Sequence, residues 1–573
     1  MFGARDFCSE MTPSYKKASI WKRKFRVRSP NRNKKYRFGE RCVKFALQIA
    51  SKNIDLESDV WSLLSKSHKK TSIWRVFFLF FWLIQDKTLS LCHKIKIMII
   101  GRKGEQEQLA QCVNSGQPEF VILYGRRRIG KTYLVRNYFN NQFAFSYVGA
   151  RNLTTAEQLE NYAVALKEYS HAGITPKLGN WREAFQALKE LLQGLPQGQR
   201  KVVFIDEMPW IDNPHSDFVT ALEIFWNGWG AYQNDLLLIA CGSATSWMAD
   251  KLFENQGGLH NRVTRSIYLA PFTLAETEEM LTSIGCHWDR YQILQCYMVT
   301  GGVPFYLRKM QSRLSLAQNI DHLFFAKNAE LRHEFSELYT SLFRHADNYI
   351  QVVKALSEKR EGLTRKEITE RTKINGGWLT KIIENLERCD FVVVYSRFGS
   401  KNKNAVIRLT DMFTLFYLRF VNDNHVQNEQ YWTQAMNTPV VVSWQGHTFE
   451  VVCLRHLQQI KKALGISGML TQASCWRGKA DDDHTPLHAS AQIDLVIERA
   501  DRIINICEMK FSQLPYTVDA DEERKLRNRL AVFQSVTRTR KTLVVTYVTP
   551  YGVRHGRHTG IIQSEVTMDD LFA

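Results

Sequence analysis

The chain has 573 residues, too many for a single core and enough for roughly three or four domains. An apolar fraction of 44% suits a soluble globular protein. The formal net charge of +20 invites a nucleic-acid reading, but residues 1–97 hold 22 Lys and Arg against 7 Asp and Glu while the other 476 residues hold 55 against 50. The body is therefore nearly balanced, and overall charge does not establish what the folded part binds.

Residues 1–97 show basic clusters (KKASIWKRKFRVR, NRNKKYR) and one apolar run, Val76 to Ile84, with no sustained period and no capping pattern. A helix of that length spans about 14 Å, against about 30 Å for a bilayer core, so it does not predict a membrane span and no membrane partner is expected. It also lies too far along the chain for a signal peptide. The expectation is a basic extension that is disordered or not native, with the ordered pattern opening at Met98. The eleven cysteines are odd in number and show no CxxC spacing, so they read as reduced core residues of a cytoplasmic protein rather than a zinc site.

From residue 98 to about 325, apolar strands alternate with amphipathic helices, as a parallel, doubly wound α/β sheet requires. Five strands are predicted: Phe120 to Tyr124, Phe143 to Val148, Val202 to Ile205, Leu236 to Cys241 and Ser266 to Leu269. The first runs into GRRRIGKT, which fits GxxxxGK[ST]. Its glycines let the backbone of Gly125, Arg126, Arg127, Arg128, Ile129 and Gly130 curl so that N–H groups point at phosphate oxygens. Lys131 adds a positive charge, Thr132 a hydroxyl for Mg²⁺, and the next helix presents its N-terminus to the anion. The third strand ends in Asp206 and Glu207, 75 positions after Lys131. A carboxylate at that tip can hold the Mg²⁺ shell, the role read for Asp206, and Glu207 can polarise the attacking water. ATP and Mg²⁺ are the cofactors implied.

The fourth strand places Ser243 beside Asp206 if one strand separates the two loops. Its hydroxyl could hold the attacking water or touch the γ-phosphate, or simply cap a helix. Arg262 and Arg265 precede the fifth strand; either could be a solvated cation. An arginine here, of which Arg262 is preferred, could also stabilise transition-state charge, in cis or from a neighbouring subunit, and the latter would imply a homo-oligomer. In GGVPFYL, two glycines end one helix and Pro304 opens another, a tight lid turn over the nucleotide or an ordinary connection.

Between about 340 and 425 the pattern becomes helix, LTRKEITERT, NGGWLTKIIENLER, and two β-rich runs around SRFGSKNKN, which reads as a winged helix-turn-helix. Leu363 to Thr369 is the expected positioning helix, Gly377 to Arg388 the recognition helix and Arg397 to Asn404 the wing. As a DNA reader it would offer Lys373, Thr380, Lys381, Lys401 and Lys403, although such modules also serve as rigid packing units. From 430 to 573, QIDLVIERADRIINICEMKFS predicts a hairpin with Asp494 on one strand and Glu508 and Lys510 on the other, two positions apart and so on one side. Asp494 and Glu508 could share a divalent metal, with Lys510 orienting a water for a metal-assisted phosphodiester cut and Glu450, on the preceding helix, as a further ligand. A solvated hairpin fits the same spacing.

Taken together, GRRRIGKT, FIDEMPW, CGSATSWM, NRVTRSIYLAPF and GGVPFYL resemble the archaeal-type P-loop ATPases of the AAA+ and STAND-related group. The resemblance continues through the winged helix into a C-terminal domain similar to the PD-(D/E)xK restriction-endonuclease-like fold, covering nearly all of 98–573. It implies that Lys131 and Thr132 carry phosphate and Mg²⁺, Asp206 and Glu207 the metal shell and water, Ser243 the sensor position and Pro304 the lid. It also implies a nuclease-like quartet of Glu450, Asp494, Glu508 and Lys510 acting on DNA, or else an ATP-gated regulatory or scaffolding protein with a catalytically silent C-terminal fold.

Overall fold

The computed structural model of the protein describes residues 99–573 apart from 214–215, 244, 254–258, 260, 396–397, 400–404, 423–427 and 480–489. The expected basic extension, residues 1–97, and the wing lysines Lys401 and Lys403 lie outside the described residues.

Five strands, β1 (Glu119–Tyr124), β2 (Phe145–Val148), β3 (Lys201–Asp206), β4 (Leu236–Gly242) and β5 (Arg265–Tyr268), form one sheet in the order β2-β3-β4-β1-β5. Every pairing is parallel. Such a sheet is covered on both faces, so its strands are continuous apolar runs, and all residues of β3 and β4 are buried. One face carries an aromatic layer in which Trp181 and Phe185 meet Phe218 from the next helix. The other face is covered by Leu109, Leu134 and Val135. Because β4 lies between β1 and β3, the loops after these three strands open at one edge, where the connections of a parallel sheet leave room for a ligand.

The glycine pair that follows helix Arg290–Thr300 seats the lid. Gly302 has φ 69°, and a Cβ there would sit 2.3 Å from the Phe272 carbonyl oxygen, so only glycine fits. Helix Pro304–Leu307 then starts against the phosphate loop, with the Phe305 N–H donating to the Arg128 carbonyl at 3.4 Å.

Beyond helix Ala346–Ser357 come β6 (Leu363–Thr364), helices Arg365–Thr372 and Gly376–Arg388, and strands β7 (Val392–Tyr395) and β8 (Val406–Leu409), paired antiparallel in the order β6-β8-β7. The first helix begins two residues later than expected because Leu363 and Thr364 pair with Ile407 and Val406, and Thr364 then closes a capping box with Glu367. At the β7–β8 connection, the Phe398 N–H donates to the Cys475 carbonyl at 3.0 Å and its ring packs on Phe533.

The C-terminal region opens with helix Pro439–Arg455. Strands β9 (Thr471–Lys479), β10 (Ser490–Arg499) and β11 (Ile503–Met509) run antiparallel. After the short β12 (Tyr516–Thr517), helix Ala520–Thr537 crosses over to β13 (Thr542–Val548), parallel to β11. Beyond it, β14 (Val553–Arg554) pairs with β12, and β15 (Ser564–Val566) completes the order β15-β13-β11-β10-β9. Blocks expected as separate domains share one apolar cluster running from Phe272 in the lid to Phe572 at the chain's end. No described helix is long and apolar enough to cross a membrane.

Candidate active site

The phosphate loop is shaped by its backbone. Gly125 has φ 144° and an added Cβ would lie 2.4 Å from the Leu269 carbonyl oxygen, so β5 sits too close for any side chain. Lys131 is buried at the start of helix Lys131–Tyr138, and its Nζ donates to the carbonyls of Gly125 at 2.9 Å and Arg126 at 3.0 Å. The neighbouring Thr132 Oγ1 donates to Asp206 Oδ2 at 2.6 Å, joining the loop to the tip of β3. A hydroxyl and a carboxylate meeting beside a phosphate loop are the hard oxygen donors Mg²⁺ takes, so these residues fit that ion.

Glu207 occupies the left-handed region at φ 49°, a conformation costing a non-glycine residue on the order of 1 kcal/mol and held here by its neighbours. Its own N–H donates to Asp206 Oδ1 at 2.9 Å, while its Oε2 accepts from the Ser243 N–H at 3.2 Å and Ser243 Oγ at 2.9 Å. Burial raises the Glu207 carboxyl above its ordinary value; Lys131 opposes that shift, Asp206 adds to it, and the Ser243 bonds oppose it. A carboxylate held in place and tuned upward in this way can accept a proton from a neighbouring water.

Of these groups Lys131, Thr132 and Glu207 border a cavity of about 520 Å³. Its lining combines Arg127, Lys131, Thr132 and Glu207 with Ile100, Phe272, Met280 and Ile284, and Arg102, also in the lining, lies over the Phe272 ring. Charged and apolar side chains around one opening can take phosphates and a flat base. Pro304 lines the same cavity, as does Arg308 four residues on, a cation that sequence reading missed although the spacing puts it one helical turn beyond Pro304.

The side chains of three arginines singled out in the sequence lie as follows. The Arg126 side chain turns away from the cavity: it is fully buried, pairs with Asp411 and lies under the Phe391 ring, so only its backbone belongs to the loop. Arg128 grips Glu334 through two bonds of 3.0 and 2.9 Å and stacks over Phe305. Arg262 is exposed in the turn before β5 and does not border the cavity, because β5 is the edge strand beyond β1 and its leading turn lies at the opposite end of the sheet from the phosphate loop. Ser243 faces Glu207, to which it donates both bonds.

The second expected site is assembled differently. Glu450 is paired with Arg408 of β8 at 2.8 Å and approached by His447 at 3.6 Å. Asp494, at the irregularity between Ile493 and Val496 where β10 slips against β9, accepts from Gln492 at 2.9 Å. Glu508 is paired with Arg529 from helix Ala520–Thr537, and Lys510 reaches Glu522 at 3.1 Å and Glu508 at 3.9 Å. Burial raises the carboxyls of Asp494 and Glu508, with Arg529 opposing the shift at Glu508. Burial would also raise Glu450, but His447 and Arg408 outweigh it and hold that carboxyl low. In this arrangement a guanidinium bonds one oxygen of Glu450 and one of Glu508, while Asp494 is bonded to an amide, and among the described residues no three His, Cys, Asp or Glu side chains converge to hold an ion.

The helix-turn-helix is likewise engaged within the molecule. Arg388 pairs with Asp250 of the ATPase portion at 3.1 Å, Thr380 accepts from Arg365 at 2.8 Å, and Lys373 donates to the Glu370 carbonyl.

Residues 100–310 match a family model described as an ATPase domain predominantly from Archaea. An uncharacterized protein of Methanocaldococcus jannaschii is 24% identical over 333 residues, covering 57% of this chain and 70% of that protein. A short ATP-binding protein of the same organism is 41% identical over 46 residues, 8% of this chain and 78% of its own length. Among solved structures, the Walker-type ATPase of Pyrococcus abyssi is similar at a TM-score of 0.41 and 18% identity, covering 56% of this chain and 96% of that one. Residues 100–310 of this chain thus belong to the family of ATPase domains found predominantly in Archaea.

Proposed function

We propose that the protein is an ATP-hydrolysing switch whose turnover repositions the helix-turn-helix block and the C-terminal sheet. The observation that carries this is the chain of bonds from Thr132 to Asp206 and from Ser243 to Glu207, which joins the tips of three strands at one cavity. In this reading Lys131 leaves the two carbonyls it now holds and pairs with the β- and γ-phosphates. Thr132 and Asp206 would hold Mg²⁺, which when bound offsets phosphate charge. Glu207, fixed by Ser243, takes a proton from the water attacking the γ-phosphorus, and the β–γ bridging bond breaks to give ADP and phosphate.

The link outward is the loop itself. Arg126 and Arg128 contact Asp411 and Glu334, so a loop that rearranges around phosphate pulls on both. Block boundaries at 98–325, 340–425 and 430–573 belong to this proposal. Within it, residues 340–425 act as a winged helix and 430–573 as a PD-(D/E)xK-like module that cuts DNA through Lys510 once ATP turnover frees its carboxylates. The arginines on Glu450 and Glu508 favour a second reading, a regulatory or scaffolding protein whose C-terminal site stays silent.

One assay separates them: plasmid DNA incubated with the full chain, Mg²⁺ or Mn²⁺, and ATP. Cleavage that Lys510→Ala abolishes supports the nuclease reading. Intact DNA under all conditions, with ATP consumed, leaves the regulatory reading standing, and no ATP consumption sinks both.

A further inference from the structure

A second, larger cleft of about 1070 Å³ lies between the tip of the ATPase sheet and helix Gly376–Arg388. One wall holds Trp210, on the short helix Met208–Ile211 that directly follows Glu207, and Trp247. The opposite wall holds Trp378, in the first turn of helix Gly376–Arg388 and 38% exposed. Three tryptophans around one opening present flat apolar faces that a planar partner can cover.

The charge in this cleft is unevenly committed. Asp212 accepts from Trp247 Nε1 at 2.8 Å, and Asp250 is paired with Arg388 at 3.1 Å. Lys251, Arg344 and Lys381 also line the cleft, are exposed, and have no ion pair among the described residues. Arg151, also in the lining, has no ion pair either, and against these four cations stand two acids without one among the described residues, Asp212 and Asp347. The balance of uncommitted charge is therefore cationic and interleaved with the aromatic faces.

Aromatic platforms between free cations are the chemistry that holds single-stranded nucleic acid, by base stacking and phosphate pairing. A duplex suits this geometry poorly. Its base faces are hidden, and the cleft side of helix Gly376–Arg388 faces the ATPase portion, to which Arg388 is paired. We infer that the cleft binds single-stranded nucleic acid and reports its occupancy to Glu207. The reporting path is short: Asp212 ends the helix that Glu207 begins, and Trp247 lies four residues after Ser243, which fixes Glu207. The reporting half rests on the ATPase reading above, whereas the binding half does not.

The test is fluorescence anisotropy of the full chain with a labelled oligothymidylate at low and moderate salt, alongside ATP turnover with and without the oligomer. Binding should weaken as salt rises. It should fall at least about tenfold in Lys251→Glu/Lys381→Glu, and roughly tenfold in Trp378→Ala with partial recovery in Trp378→Phe. The oligomer should raise ATP turnover by the parent and not by Trp378→Ala. Binding that ignores all three variants, or competition by blunt duplex or polyglutamate as effective as by unlabelled oligomer, overturns the inference. Intact ATP turnover without oligomer binding sinks this inference and spares the ATPase reading. Trp378-dependent binding without ATP turnover does the reverse.

Discussion

At the phosphate loop, Asp206 and Glu207 are held by hydroxyls and N–H groups from Thr132 and Ser243, whereas in the C-terminal sheet Glu450 and Glu508 each carry a guanidinium. Both regions bury acids near a lysine. A hydroxyl orients a carboxylate and leaves its charge for an incoming ion or proton, while an arginine neutralises it and fills the space. The difference teaches that residue type at a strand tip does not decide whether a site is open: the counter-group does. At the first site the cation, Lys131, rests on two carbonyls that phosphate oxygens can replace.

The largest expected way to break the comparison is Lys131→Ala. It should cut ATP turnover by at least about 10²-fold and abolish measurable nucleotide binding by calorimetry, since the loop loses its one buried positive charge facing the cavity. Near-parental turnover would remove the first site from the account.

Next comes the pair that ties this loop to the rest of the molecule. Burial would raise the Asp411 carboxyl, yet Arg126 outweighs it and holds that group low. Arg126→Ala leaves Asp411 buried without its countercharge and should cost about 3–5 kcal/mol, read as a lower chemical-denaturation midpoint. The sign with pH follows from the lowered carboxyl: the stabilisation is present above its unfolded value and lost as pH falls through the folded one. The gap between parent and variant should therefore be full at neutral pH and shrink on strong acidification.

Arg408→Ala sharpens the contrast at the closed site. Glu450 would keep only His447, and stability should drop by about 1–3 kcal/mol. The Glu450 carboxyl is also held low, so this difference too should be present at neutral pH and fade as pH falls through the folded value. A difference that grows on acidification would contradict the assignment of Arg408 as its countercharge.

The smallest effect is expected for Ser243→Ala. Its two bonds lower the Glu207 carboxyl against the rise imposed by burial, and the variant removes the hydroxyl one. The acidic limb of the ATP-turnover profile should move to higher pH, with only a few-fold loss at the optimum. An unmoved limb would show that Glu207 does not govern it.

Much of the first region was legible in the chain. Gly125 marks a backbone with no room for a side chain and Gly130 one in the left-handed region, and apolar runs such as Val202 to Ile205 ending in acids mark parallel strands with their tips at the ligand edge. The hairpin turning at Arg499 to Arg502 was legible for a similar reason, since local pairing is written in neighbouring residues. What escaped was long-range. The variable positions of the loop motif carry no hint of where Arg126 and Arg128 point, and their partners lie 285 and 206 positions away. Arg408 reaches Glu450 across 42 positions and Arg529 reaches Glu508 across 21, so a pattern of acids and a lysine could not disclose that arginines occupy it. Helices Arg365–Thr372 and Gly376–Arg388 were visible as a pattern, while the docking of Phe398 and Arg388 onto their neighbours was not.

The most direct test of the central claim is steady-state ATP hydrolysis by Glu207→Gln, with ATP binding to the same sample measured by calorimetry in magnesium buffer. Parental binding with turnover reduced by roughly 10²–10⁴-fold is the predicted result. Hydrolysis at the parental rate, or no heat with ATP from the folded parent, would contradict it.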